Sequence, residues 1–170
     1  DAESLAQQVY AETVTEGMGQ MEQAEALYTY LTEHVRYDFR YYSQPGEMPY
    51  DSTTAYGALH EHLAICGGYA QAFQLQQADI PSVTVSGKMG GENHMWVLVQ
   101  IDGQWLYFDP TSDRGRAEYG FNCFGVDADS LRLSLQTELS KLPKVSGPGR
   151  ESDKVYVSSS VDKALVAAER

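Results

Sequence analysis

The stretch His94-Met95-Trp96-Val97-Leu98-Val99-Gln100-Ile101-Asp102-Gly103-Gln104-Trp105-Leu106-Tyr107-Phe108-Asp109 reads as two strands joined by a tight turn. Met95, Val97, Val99 and Ile101 alternate along the first strand, and Trp105, Tyr107 and Asp109 along the second. Asp102-Gly103 between them is a strong hairpin signal, because the favoured two-residue turn needs residues that accept positive φ. Upstream, Ser82–Gly87 alternates Val83 and Val85 and supplies a third strand. Everything before that reads as helix or loop. Residues 2–35 carry apolar residues at helical spacing, interrupted at Gly17-Met18-Gly19, with a second piece from Met21 to Val35. Ala55–Leu63 is a short helical stretch, and Cys66-Gly67-Gly68 opens another helix that Pro81 ends. Helices first and an antiparallel sheet afterwards is an α+β order.

The hairpin has a chemical consequence. His94 lies eight residues before Asp102 and Asp109 six after Gly103, so an imidazole and a carboxylate can meet at one edge of the sheet. Cys66 stands where a helix begins, and there the unpaired backbone N–H groups and the positive end of the dipole favour a thiolate. Gly67 and Gly68 present no Cβ to bar an approach to the sulfur. In these places Cys66 can act as nucleophile toward an amide carbonyl, and His94 can take its proton and return one to the leaving amine. Asp109 would orient the ring, and the Cys66 N–H would be a donor to the oxyanion. Other readings stand beside this one. Cys66 can be an inert buried thiol or can pair with Cys123, and Asp109 can be a turn residue before Pro110. His60-Glu61-His62 with Cys66 looks like a metal set, but residues two apart on a helix face different ways, so no metal is expected.

Cys66-Gly67-Gly68-Tyr69-Ala70, His94-Met95-Trp96 and Trp105-Leu106-Tyr107-Phe108-Asp109-Pro110-Thr111 together resemble the transglutaminase-like superfamily, best from Gln23 to Asp113. Tyr56-Gly57-Ala58-Leu59, Ala70-Gln71-Ala72-Phe73 and Ile80-Pro81 look like its bacterial, often secreted members. The resemblance implies a papain-like core with a Cys-His-Asp triad in this chain order, working without cofactor. It implies acyl transfer through a thioester, resolved by an amine or by water. It also admits members that have lost catalysis and serve as binding or scaffold modules. Ser112 is a departure, standing where the family often has Trp, and is expected to touch none of the three roles. Trp96, on the same strand face as His94, is expected to pack beside the imidazole. Tyr69 would back the site, and Tyr56 is a candidate second oxyanion donor, although core packing is the simpler role for both tyrosines. The aromatic, turn-rich segment Tyr37–Thr54 is read as an ordered loop packed on the core, with part of a substrate cleft at Tyr41–Tyr50 as the alternative.

The whole chain bounds these readings. It has 170 residues, 24 acidic and 12 basic, for a net charge of −12. Residues 1–113 hold 16 acids and three bases, whereas residues 114–170 hold eight and nine. Such a balance argues against nucleic acid and for cationic or amine-bearing protein or peptide partners. No apolar run reaches the length of a membrane span. The opening Asp1-Ala2-Glu3-Ser4 is read as a processed or excised chain, with an extracellular or cell-surface location expected. Residues 1–142 are assigned to the catalytic domain, 143–153 to a linker and 154–170 to a short appendage. Within the C-terminal part, Tyr119–Val126 is a candidate strand and Leu131–Leu142 has mixed helical character. Val155–Val157 reads as a strand and Val161–Glu169 as a short helix.

Overall fold

Asp1 caps the first helix, its carboxylate accepting from the Ser4 N–H at 2.8 Å, and α1 runs Ala2–Thr13. Gly17, at φ 90°, turns the chain into α2, Gln20–His34, which buries Ala24, Leu27, Tyr28 and Leu31. This is a computed structural model, and it describes residues 1–89 and 91–126, with the backbone of short strands at 134–135, 156–160 and 163–166. After α2 come β1 (Arg36–Tyr37), a one-turn helix α3 (Arg40–Ser43) and two 3₁₀ turns, Pro45–Glu47 and Tyr50–Thr53. A π-helical turn, Gly57–Glu61, then leads to β2, Leu63–Ala64, which pairs parallel with β1. Helix α4, Cys66–Gln76, lies between this layer and the sheet.

The sheet is built from β3 (Ser82–Met89), β4 (Glu92–Ile101), β5 (Gln104–Phe108) and β6 (Phe124–Val126), each antiparallel to the next. At the turn between β4 and β5, Asp102 has φ 50° and Gly103 φ 83°, the positive pair that a twisted two-residue hairpin demands. The turn fixes the register Val97↔Phe108 and Val99↔Leu106. Those four side chains share the face that meets α1, α2 and α4 in one apolar cluster around Phe73 and Tyr28. The opposite face carries Val85, Trp96, Leu98 and Tyr107, also buried. Beyond β3 the sheet continues through β7 (Ser134–Leu135), β8 (Tyr156–Ser160) and β9 (Lys163–Val166), with one parallel pairing, β7 to β8.

Two expectations change here. Ser134 and Leu135, read as partly helical, are strand, paired with Lys88 and Gly87. Lys163–Val166, read as helix, is the return arm of a hairpin with β8, so cross-strand pairing overrides the helical preference of Ala, Leu and Lys. The proposed linker at 143–153 lies outside the described residues.

Candidate active site

The site begins with how the start of α4 is held. Ile65, the residue before Cys66, donates its N–H to Ser52 O at 2.8 Å. Ser52 in turn gives its hydroxyl to Asp38 Oδ2 at 2.6 Å, while the Asp38 N–H bonds Ala64 O at 2.9 Å. Asp38 is 2% exposed and takes two further bonds from the Arg40 guanidinium, each 2.8 Å. These bonds, above all those from Arg40, hold its carboxyl down at about 2 against the cost of burial. Asp38 and Ser52 therefore clamp the segment at Ser52 to the residues that lead into Cys66. Sequence reading passed over both, since neither stands in a motif. A group depressed in this way stabilises the fold above its ordinary 3.8, and the benefit is lost as the pH falls toward about 2. Asp38→Asn should therefore lower the urea midpoint near neutral pH, with the gap from wild type closing as the pH drops through that window.

Glycines finish the anchor. A Cβ on Gly68 would stand 2.7 Å from the Ala64 Cβ and 2.8 Å from Thr54 O, so this glycine serves the packing of α4, not an approach to sulfur. Gly67 lines the cleft beside Cys66 but is itself buried, and a Cβ there would stand 3.1 Å from Thr53 O, so packing also favours this glycine.

His94 and Asp109 leave the β4–β5 hairpin at the same end. His94 Nε2 lies 2.8 Å from Asp109 Oδ2, with the histidine 7% and the aspartate 1% exposed. Cys66 lines the same cleft as His94 and lies near enough to the ring to help raise its pKa. Burial favours the neutral imidazole, but the bonds to Asp109 and Cys66 outweigh it and raise the ring's pKa to about 9. The fully buried Trp96 lies nearly parallel to the imidazole, at 5.9 Å and 20°, as the strand face required.

The other expected site residues separate. Tyr69 is fully buried and donates to Val35 O at 2.7 Å, which makes it a core residue one turn along the helix from Cys66. Tyr56 stacks on His60 at 4.7 Å and does not line the cleft. His62 adopts a left-handed backbone at φ 55°, and among the described residues no cluster of three metal-ligating side chains occurs. Cys66 and Cys123 are both free thiols.

Two features were not anticipated. Ser112 was expected to touch none of the catalytic roles, yet its hydroxyl donates to Asp109 Oδ2 at 2.6 Å. Asp113, fully buried, receives the Tyr28 hydroxyl at 2.7 Å and the N–H groups of Asn122 and Cys123 at 2.9 and 2.8 Å. Because Cys123 O accepts the Asp109 N–H at 2.9 Å, this node ties the acid to α2.

Cys66 and His94 open into a cleft of about 490 Å³. Tyr41, Tyr42 and Tyr50 line one wall and Glu92 the other, with Tyr42 donating across to Glu92 Oε2 at 3.0 Å. Tyr42 and Tyr50 are 57% and 80% exposed and face the cleft and solvent, whereas Tyr37 packs against the core as expected. Among the described residues, no helix is long and apolar enough to cross a membrane.

A cysteine at the start of a helix, packed against an antiparallel sheet that presents a histidine, is the arrangement of papain-like α+β folds. The chain belongs to the transglutaminase-like superfamily, which it matches over residues 4–110. Among solved structures it is similar to a TGase, with a TM-score of 0.56 and 17% identity over 71% of this chain and 33% of that one. It is also similar to a "Putative Cysteine Protease" from Cytophaga hutchinsonii, with a TM-score of 0.51 and 18% identity over 65% of this chain and 37% of that one. The chain thus spans about a third of either neighbour's length. No curated protein matches it.

Proposed function

We propose that this protein performs cysteine-dependent acyl transfer on protein or peptide amides through a thioester, with Cys66 as nucleophile, His94 as general base and acid, and Asp109 as orienting group. The observation that supports this best is the buried His94–Asp109 contact of 2.8 Å, at a histidine that shares its cleft with Cys66. In this reading the Cys66 proton has passed to His94 before Cys66 Sγ adds to the amide carbonyl, so the ring is charged when the leaving amine needs its proton. The N–H of Cys66, first in α4 and without an intrahelical acceptor, donates to the oxyanion. Collapse breaks the C–N bond, and His94 protonates the departing amine. An amine or water then attacks the thioester, giving a new amide or a carboxylic acid and restoring the thiol.

Incubation with glutamine-containing peptides and a primary amine, read by mass spectrometry, tests the proposal. A mass gain equal to the amine less ammonia identifies transamidation, and a cleaved or deamidated peptide identifies hydrolysis. Each should vanish in Cys66→Ala. A wild-type protein that binds peptides across such a panel and converts none is the catalytically silent scaffold instead.

Glu92 in contact with the exposed Tyr42 supports a preference for cationic or amine-bearing groups, as the acidic first two-thirds of the chain does at longer range. Glu92→Gln is expected to lower kcat/KM about 2- to 5-fold for peptides with a nearby Lys or Arg. Neutral peptides should change little, and the ratio of the two is the measurement.

A further inference from the structure

The turn after β5 does more than end the strand. Ser112 Oγ donates at 2.6 Å to Asp109 Oδ2, the same oxygen that receives His94 Nε2 at 2.8 Å. The Ser112 N–H reaches the other oxygen, Oδ1, at 3.4 Å. One residue thus contacts both carboxylate oxygens and fixes the rotation of the group. Among the described residues, His94 and Ser112 are the side chains that hydrogen-bond Asp109. Cys66 from α4, Tyr28 from α2, and Cys123 and Asp113 from the loop before β6 also face the pair, and none of them donates to this carboxylate.

We propose that Ser112 is a positioning residue for the catalytic pair, setting the orientation of Asp109 and moderating how strongly that carboxylate holds the His94 proton. An oxygen that serves two donors divides its charge between them, so each receives a weaker bond than it would alone. Without the hydroxyl, Oδ2 attends to the imidazolium only, and the ring keeps its proton to higher pH. A ring that holds its proton too firmly is a poorer acid toward the leaving amine, so the serine keeps His94 closer to working pH. Ser112 is half-buried, and its hydroxyl also lies 3.8 Å from Met89 Sδ at the cleft rim, which places it between the acid and the substrate space.

This inference rests on the reading of Cys66, His94 and Asp109 as one working site, so its test is chosen to need no substrate. The chain has four histidines, and His94 ring resonances can be assigned by comparison with His94→Gln and followed against pH. Ser112→Ala is expected to raise the His94 midpoint by about half a pH unit, a roughly threefold gain in proton affinity. Ser112→Thr, which keeps the hydroxyl, should return it to the wild-type value. Should Ser112→Ala fail to fold, Ser112→Cys serves in its place, since a weaker S–H donor gives a smaller shift in the same direction. An unchanged midpoint in the folded Ala or Cys variant overturns the proposal, as does a Thr variant that shifts as far as Ala. Alkylation of wild-type Cys66 that is indifferent to His94 would instead sink the acyl-transfer reading, and the titration would still decide what Ser112 does.

Discussion

Replacing His94 with alanine is expected to lower kcat/KM on an amide substrate by about 10²- to 10⁴-fold, the usual worth of a positioned acid–base group. The same change should slow alkylation of Cys66 by a neutral reagent, while Cys123 stays unreactive in both proteins. Cys123 is a sound internal control because burial, aided by the charges of Asp109 and Asp113, pushes its thiol up to about 12. The pH profile adds a second, independent mark. His94 must carry a proton to release the amine, and its bonds to Asp109 and Cys66 keep it charged to about pH 9 despite burial. Activity should therefore fall on the alkaline side with a midpoint near that value. In Asp109→Asn the counter-charge is gone and burial is left to dominate, so the alkaline limb should move down by about two pH units. A limb that stays in place would mean that Asp109 does not govern the ring.

Gly57→Ala is expected to be among the most damaging single changes outside the site. A Cβ there would stand 2.0 Å from Asp51 O and 2.6 Å from its carbonyl carbon, both rigid backbone. Nothing flexible can yield, so the π-helical turn must move away from the 3₁₀ turn at Tyr50–Thr53. A loss of about 3 kcal/mol or more follows, at the upper end of overpacking effects. Gly68→Ala meets Thr54 O at 2.8 Å and Ser52 O at 3.0 Å and should cost nearly as much, displacing the start of α4 and the nucleophile with it. Gly46→Ala is the control, since a Cβ there meets nothing within 4 Å. Urea denaturation of the three variants should rank them in that order, with Gly46→Ala close to wild type.

The meeting of His94 and Asp109 was legible in the sequence because the information that joins them is local. Asp102-Gly103 permits one tight turn, the alternation of Val97, Val99 and Ile101 fixes the inward face, and His94 and Asp109 then fall at one end by counting. Cys66 was legible from the glycines that follow it, although Gly68 proved to answer to packing. What escaped were polar residues whose partners lie far along the chain. Asp113 meets Tyr28 across 85 positions, and Asp38 meets Ser52 across 14, spacings that no periodicity encodes. Ser112 sits three residues from Asp109, near enough to suspect, but only the geometry of the turn aims its hydroxyl at the carboxylate. The strand at Lys163–Val166 was misread because its residues favour a helix locally and its partner decides otherwise.

The hairpin that carries His94 and Asp109 closes over a two-residue turn, among the shortest loops a chain can make, so its entropy cost is small and it can form early. Cys66 belongs to a different unit, and meets the ring only once α4 has docked on the sheet through Val97 and Phe108. A nascent or partly unfolded chain can thus hold His94 beside Asp109 before Cys66 reaches them. Under the proposed mechanism Cys66 gains its partner ring only when α4 docks, so the rate of Cys66 alkylation followed during refolding would time that docking.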